Sequence, residues 1–187
     1  MAGCGETFVG INVAKLEHAI ALTEATQDDA VEAIKWITRQ AWCSGNVRMI
    51  RKSWGGFSAL QLAARRPKGL KAIVTVCSTD HRYAYDAHYM GGCLLNGTLD
   101  WGTRCFASMA LPPDPEMVGK AHWRSTGMTR LENVRSILID WVTHQREDEA
   151  WKHGSVCEAI GCAVLVVGGW ADSYSNFVFR LKRHLEA

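Results

Sequence analysis

The sequence predicts an α/β fold, a parallel sheet flanked by helices, and three observations carry that expectation. Short β-rich runs at Val47–Ile50, Leu70–Val76 and Ala163–Val167 alternate with stretches of helical period. The run Leu70–Val76 (LKAIVTV) is almost continuously apolar, as a strand covered on both faces should be. Ser53 stands between the first strand and a glycine-led helix, the local pattern of a serine on a sharp strand-to-helix turn.

Residues 1–26 show no clear period, although Gly5–Leu16 could hold a strand, and they stay outside the predicted core. Gln27–Thr38 reads as a helix: Asp28 and Asp29 suit its positive end, and Ala30, Val31, Ile34 and Ile37 recur at helical spacing. Trp42–Gly45 turns the chain into the first strand. After Ser53 a helix from Gly56 to Arg65 carries Phe57, Leu60 and Ala64 on one face, widened by Leu62 and Ala63, until Pro67 and Gly69 stop it. Beyond the second strand the chain becomes rich in Trp, His, Arg and Gly, includes Pro112, Pro113 and Pro115, and holds one main helix-like patch, Arg130–His144. Residues 81–161 are therefore expected to form an inserted, mostly helical cap. Ala163–Val167 resumes a buried strand, and Ser175–His184 follows as an amphipathic helix with Phe177, Val178 and Leu181 inward. The core is assigned to residues 27–80 and 162–187.

Bulk properties exclude several classes. A chain of 187 residues, 48% hydrophobic and 21% charged, can bury a real core. Its 21 Lys and Arg against 19 Asp and Glu give a net charge of +2, too balanced for nucleic acid or an anionic membrane. The seven cysteines include no CxxC pair, which argues against zinc and, with two of them in or beside strands, for a reducing cytoplasm. Met1–Gly10 lacks the features of a signal peptide, and no apolar run is long enough to span a bilayer.

The candidate chemistry centres on Ser53. On an elbow its hydroxyl would stand exposed above the sheet, and the backbone N–H of Trp54 would face a developing oxyanion. The equal alternative is an ordinary helix N-cap serine. A phosphate loop is excluded, because Arg51 replaces the required glycine and an apolar strand precedes it. Asp172, in a loop after a strand and later in the chain than Ser53, suits the acid of a Ser, Asp, His order, or else the N-terminal end of the next helix. His184 is the one histidine after Asp172, and its place in a helix makes it a surface residue. His81, His88, His122, His144 and His153 fall in the cap, read as structural or surface residues, and form no metal motif.

The stretches DDAVEAIKWITRQAWCSGNV, KSWGGFSALQLAARRPKGLKAIVTVCSTDHRY, HYMGGCLLN, PPDPEMVG, HQREDEAWKHGSVCE and GGWADSYSN, in that order, resemble the CocE/NonD hydrolases, serine hydrolases related to cocaine esterase and X-Pro dipeptidyl-peptidase. The resemblance runs from Gln27 to Leu181 and implies part of an α/β-hydrolase fold with a helical cap. It implies Ser53 as nucleophile, Asp172 as triad acid, Trp54 N–H as oxyanion donor, an ester or peptide substrate, and no cofactor or metal. Arg48 and Arg51 stand where the family has glycines, so a buried charge and a strained elbow are expected. The triad histidine and a second oxyanion donor belong to family segments that this chain lacks. A non-catalytic truncated remnant, or a subunit whose partner supplies the histidine, is the alternative, with an open sheet edge through which chains could associate.

Overall fold

A computed structural model describes residues 24–154 and 159–185. Helix α1 (Glu24–Thr38) leads to strand β1 (Val47–Lys52), helix α2 (Trp54–Ala64) and strand β2 (Leu70–Val76). A short hairpin, β3 (Tyr89–Met90) and β4 (Cys93–Leu94), opens the cap, followed by α3 (Asn96–Ala110), α4 (Pro115–Val118), α5 (Lys120–Asn133), α6 (Ile137–Thr143) and a 3-10 turn, Glu149–Gly154. Strand β5 (Ala163–Val167) and helix α7 (Ser175–Leu185) complete the order. The calls on residues 1–22 lie outside the described residues.

The main sheet is parallel, in the order β1-β2-β5, with Ile50 opposite Val74 and Val74 opposite Leu165. The cap segment enters between β2 and β5, so the sheet is built from strands far apart in sequence. Ile34 of α1, Leu60 and Ala63 of α2, Ile73 of β2, and Phe177 and Leu181 of α7 close the core, each almost wholly buried. Gly69 is required where the chain enters β2: its φ is +105°, and a Cβ there would stand 2.6 Å from Thr38 Cγ2.

Two expectations change. Among the described residues, helices cover Leu70–Val76 on one face only, and its outward residues Ala72, Val74 and Val76 are half-buried. Ile73 and Thr75 are buried under the helices, whereas on the other face the flanking Ile50, Leu165 and Val167 are 66%, 59% and 43% exposed. The apolar run was read as two-sided because its outward residues, Ala72, Val74 and Val76, are apolar as well. The helix over Arg130–His144 is broken, since Val134 leaves helical backbone at φ −65° and ψ 125° and its N–H closes on the Arg130 carbonyl. The apolar period simply continues across that break.

Candidate active site

Parallel strands bring their C-terminal ends to one edge, where α/β proteins place their chemistry. Here the ladder continues past the strands. The Ser53 N–H donates to Val76 O, and the Cys77 N–H donates to Val167 O, both at 2.8 Å. The serine turn, residue 77 and the loop after β5 are thereby tied into one row.

Ser53 has φ 54° and ψ −127°. A non-glycine residue there stores about 1–3 kcal/mol of strain, which the flanking strand and helix must hold in place. Its side chain makes no capping hydrogen bond to α2. An N-cap serine has extended backbone and bonds the first turn, so the capping alternative falls. Ser53 is exposed and lines a cavity of about 230 Å³ together with Trp54, His88, Trp101 and Tyr174. Trp54 opens α2, and N–H groups of a first helical turn have no intrahelical acceptor.

Tyr174 was not singled out from sequence. Its side chain lines the same cavity as Ser53. Burial raises the Tyr174 pKa, and the charges of Asp86 and Asp172 raise it further, so the group stays a neutral donor. Asp172 lies in the loop after β5, where the sequence puts it, and is half-buried. Burial and then the nearby Asp172 carboxylate push the Cys77 thiol pKa up. Asp172 Oδ2 is buried and has no hydrogen-bond partner among the described residues. No described histidine reaches it, and His184 is exposed on α7.

A sequence model of the X-Pro dipeptidyl-peptidases, the S15 family, matches residues 15–187. The chain belongs to this family. The cocaine esterase of Rhodococcus sp. (strain MB1 Bresler) is 30% identical over 172 residues, which take in 78% of this chain and 29% of the esterase. A CocE/NonD family hydrolase from Staphylococcus aureus is similar in structure at a TM-score of 0.57 and 20% identity, over 77% of this chain and 23% of that one. An α-amino acid ester hydrolase is similar at a TM-score of 0.51 and 20% identity, over 92% of this chain and 31% of that one. The chain thus spans less than a third of each of these relatives.

The two arginines of this S15-family chain sit differently from expectation. Arg48 is not a buried charge: β1 is an outer strand of the described sheet, its residues alternate in burial, and Arg48 is on the exposed side. Arg51 is half-buried, and its aliphatic stem lies beside Gly55, where an added Cβ would still be 3.4 Å from Arg51 Cδ. The elbow's unusual backbone is at Ser53, and the arginine is accommodated next to it.

His88, which the sequence marks only as a cap residue, is 5% exposed and lines the Ser53 cavity. Its Nε2 is 4.0 Å from Asp86 Oδ1, and its ring centroid is 4.3 Å from that of Trp141. Burial and then the nearby Arg82 charge lower its pKa from 6.5 to about 4, leaving a neutral imidazole at pH 7. Because the folded value is below the unfolded one, the unfolded chain takes up the proton first. The stability tied to His88 is complete above pH 6.5 and is lost as pH falls toward 4. The loss is on the order of 3 kcal/mol. Urea midpoints should therefore drop over that window in the wild-type chain and drop distinctly less in His88→Gln. Parallel curves for the two proteins would contradict this assignment.

No helix among the described residues is long and apolar enough to cross a membrane. Cys43, Cys77, Cys93, Cys105 and Cys162 carry free thiols.

Proposed function

We propose that this chain carries the nucleophile half of a serine hydrolase acting on ester or amide bonds through an acyl-enzyme. The observation that carries the reading is Ser53: left-handed backbone on a strand-to-helix turn, no capping bond, and exposure in a cavity. In this reading Ser53 Oγ attacks the carbonyl carbon, and its proton passes to an imidazole. That imidazole then protonates the departing alkoxide or amine, and water releases the acyl group by the same steps. The Trp54 N–H stabilises the oxyanion. The imidazole comes from outside the described residues and donates its second N–H to Asp172 Oδ2, the oxygen with no partner here. The protein would act in the cytoplasm, on a small ester or a peptide, without a cofactor or metal.

A fluorophosphonate probe tests this directly. It should modify the folded chain at Ser53, as read by peptide mass spectrometry, and Ser53→Ala should take no label. Absence of label on well-folded protein, or equal label on Ser53→Ala, leaves the second reading: a chain that keeps the family core and cap without turnover. The observation favouring that second reading is the same unpartnered Asp172 Oδ2.

A further inference from the structure

Part of the Ser53 cavity is walled by the start of α3, through Gly97. That helix begins without a cap. Leu95, at its N-cap position, makes no side-chain hydrogen bond, and the first turn holds no acidic residue. The Gly97 N–H has no acceptor among the described residues. Such a helix start presents bare N–H groups and the positive end of the helix dipole, and an anion satisfies both. His88 is fastened to the same place: its carbonyl oxygen accepts from the Leu95 N–H at 3.0 Å and from Thr98 Oγ1 at 2.7 Å. The His88 imidazole is 5% exposed and lines the cavity, and its Nδ1 has no hydrogen-bond partner among the described residues. Trp54, also on the cavity wall, has the same deficit at Nε1, a nitrogen that can only donate. Buried polar atoms left without partners are unfavourable, and a ligand that supplies an acceptor relieves them.

Two carboxylates also line this cavity, Asp86 and Asp100, and both are already engaged. Asp86 Oδ1 accepts the His88 N–H at 3.2 Å, and its other oxygen is paired with Arg82. Asp100 accepts from Arg104 Nε at 2.9 Å. The donors at Gly97, His88 and Trp54 carry no such engagement, so the wall offers more free donors than free acceptors. The Arg82 charge acts in the same direction. It opposes protonation of His88, and a charge that repels a proton there attracts an anion.

We propose that the substrate of this cavity is an ester or amide bearing a carboxylate apart from its scissile carbonyl, and that the α3 N-terminus at Gly97 holds this carboxylate together with the ring N–H groups of His88 and Trp54. His88 donates as a neutral imidazole with its proton on Nδ1. A monoester of a dicarboxylic acid is the simplest substrate of this class. The proposal rests on the hydrolase reading for the scissile bond, whereas the carboxylate site is tested by binding alone.

The probes are three small esters of similar length: monomethyl glutarate, its neutral counterpart dimethyl glutarate, and the cationic methyl 5-aminopentanoate. Saturation-transfer NMR at pH 7 with the full chain carrying Ser53→Ala reads their binding without turnover. Monomethyl glutarate should bind at least about tenfold more tightly than either of the others, because a donor site left unfilled rejects the analogue that lacks the acceptor. The ring nitrogen resonances of His88 and the indole N–H of Trp54 should shift with the monoester and stay in place with the diester. His88→Phe and Trp54→Phe each keep a ring and remove its N–H. With the fold intact by far-ultraviolet circular dichroism, each should narrow the preference several-fold. No binding, equal binding of the three esters, resonances that do not move, or a preference that both folded variants keep in full overturns the proposal. Tighter binding of the cationic ester overturns it as well and assigns the selectivity to Asp86 and Asp100. The hydrolase reading fails separately: monoester binding without fluorophosphonate label at Ser53 strikes the chemistry and leaves the site, and label without the monoester preference strikes the site and leaves the chemistry.

Discussion

Gly56→Ala should destabilise the chain by about 2 kcal/mol or more, whereas the same change one residue earlier, Gly55→Ala, should be neutral or stabilising by up to about 1 kcal/mol. Alanine is the better helix former, so on propensity alone both changes would help. Space decides the sign. A Cβ on Gly56 would stand 2.5 Å from Thr75 Oγ1 and 2.7 Å from Ser78 Cβ. Neither neighbour can yield: Thr75 is fully buried, Ser78 nearly so, and their hydroxyls hydrogen-bond each other. Overpacking at such a site costs about 1–3 kcal/mol, and here both obstacles lie below the closest approach of real carbon atoms. A Cβ on Gly55 meets only the flexible stem of Arg51, at ordinary contact distance. Urea denaturation of the two variants beside wild type measures the contrast. A Gly56→Ala midpoint at or above wild type would mean that α2 does not press on β2 as described. Because α2 begins at the elbow, that close approach is also what holds Ser53 in its strained backbone.

The elbow was legible in the sequence because its signals are local: an apolar strand, a serine and two glycines before a helical period. The two glycines read alike there, and only the packing of α2 against Thr75 and Ser78 separates them. Asp172 was legible for the same kind of reason, as the first acid after a β-rich run. Tyr174 was not. Its place in the Ser53 cavity arises because β5 lies beside β2, a pairing across the whole cap that no local pattern encodes. The exposure of Arg48 was hidden similarly, since whether a strand is central or outer depends on what else joins the sheet. His88 and Arg82 sit in a segment whose Trp, His and Arg content leaves structural and surface roles alike open, and burial there comes from rings contributed by distant elements.

Arg82→Met should cost about 3–5 kcal/mol, and the cost should be smaller at pH 5 than at pH 7. The Arg82 guanidinium is the meeting point of core and cap. Its Cζ lies 4.6 Å from the Trp54 ring, 5.2 Å from Trp141, 5.8 Å from Phe57 and 5.9 Å from Trp151. Among the described residues its paired carboxylate is Asp86, at 3.6 Å, and both side chains are largely buried. Burial lowers the arginine's pKa and raises the aspartate's, and each charge opposes the other's shift. Methionine fills much of the space but leaves the Asp86 carboxylate buried without its cation. The folded pKa of Asp86 already exceeds the unfolded value, so its contribution is fully present below the unfolded pKa and is lost as pH rises through the folded one. Removing Arg82 moves that folded value higher still, which makes acidification relieve part of the damage. His88, whose proton Arg82 also repels, shifts in the same sense. Asp86→Asn in the Arg82→Met background therefore isolates the carboxylate, and it should recover stability at pH 7 and flatten the difference between the two pH values. Equal losses at both pH values, unmoved by Asp86→Asn, would show that Arg82 acts through its ring contacts alone. In either case Trp54, the residue beside Ser53, loses the cation that joins it to Trp141 of the cap, so elbow and cap should loosen together.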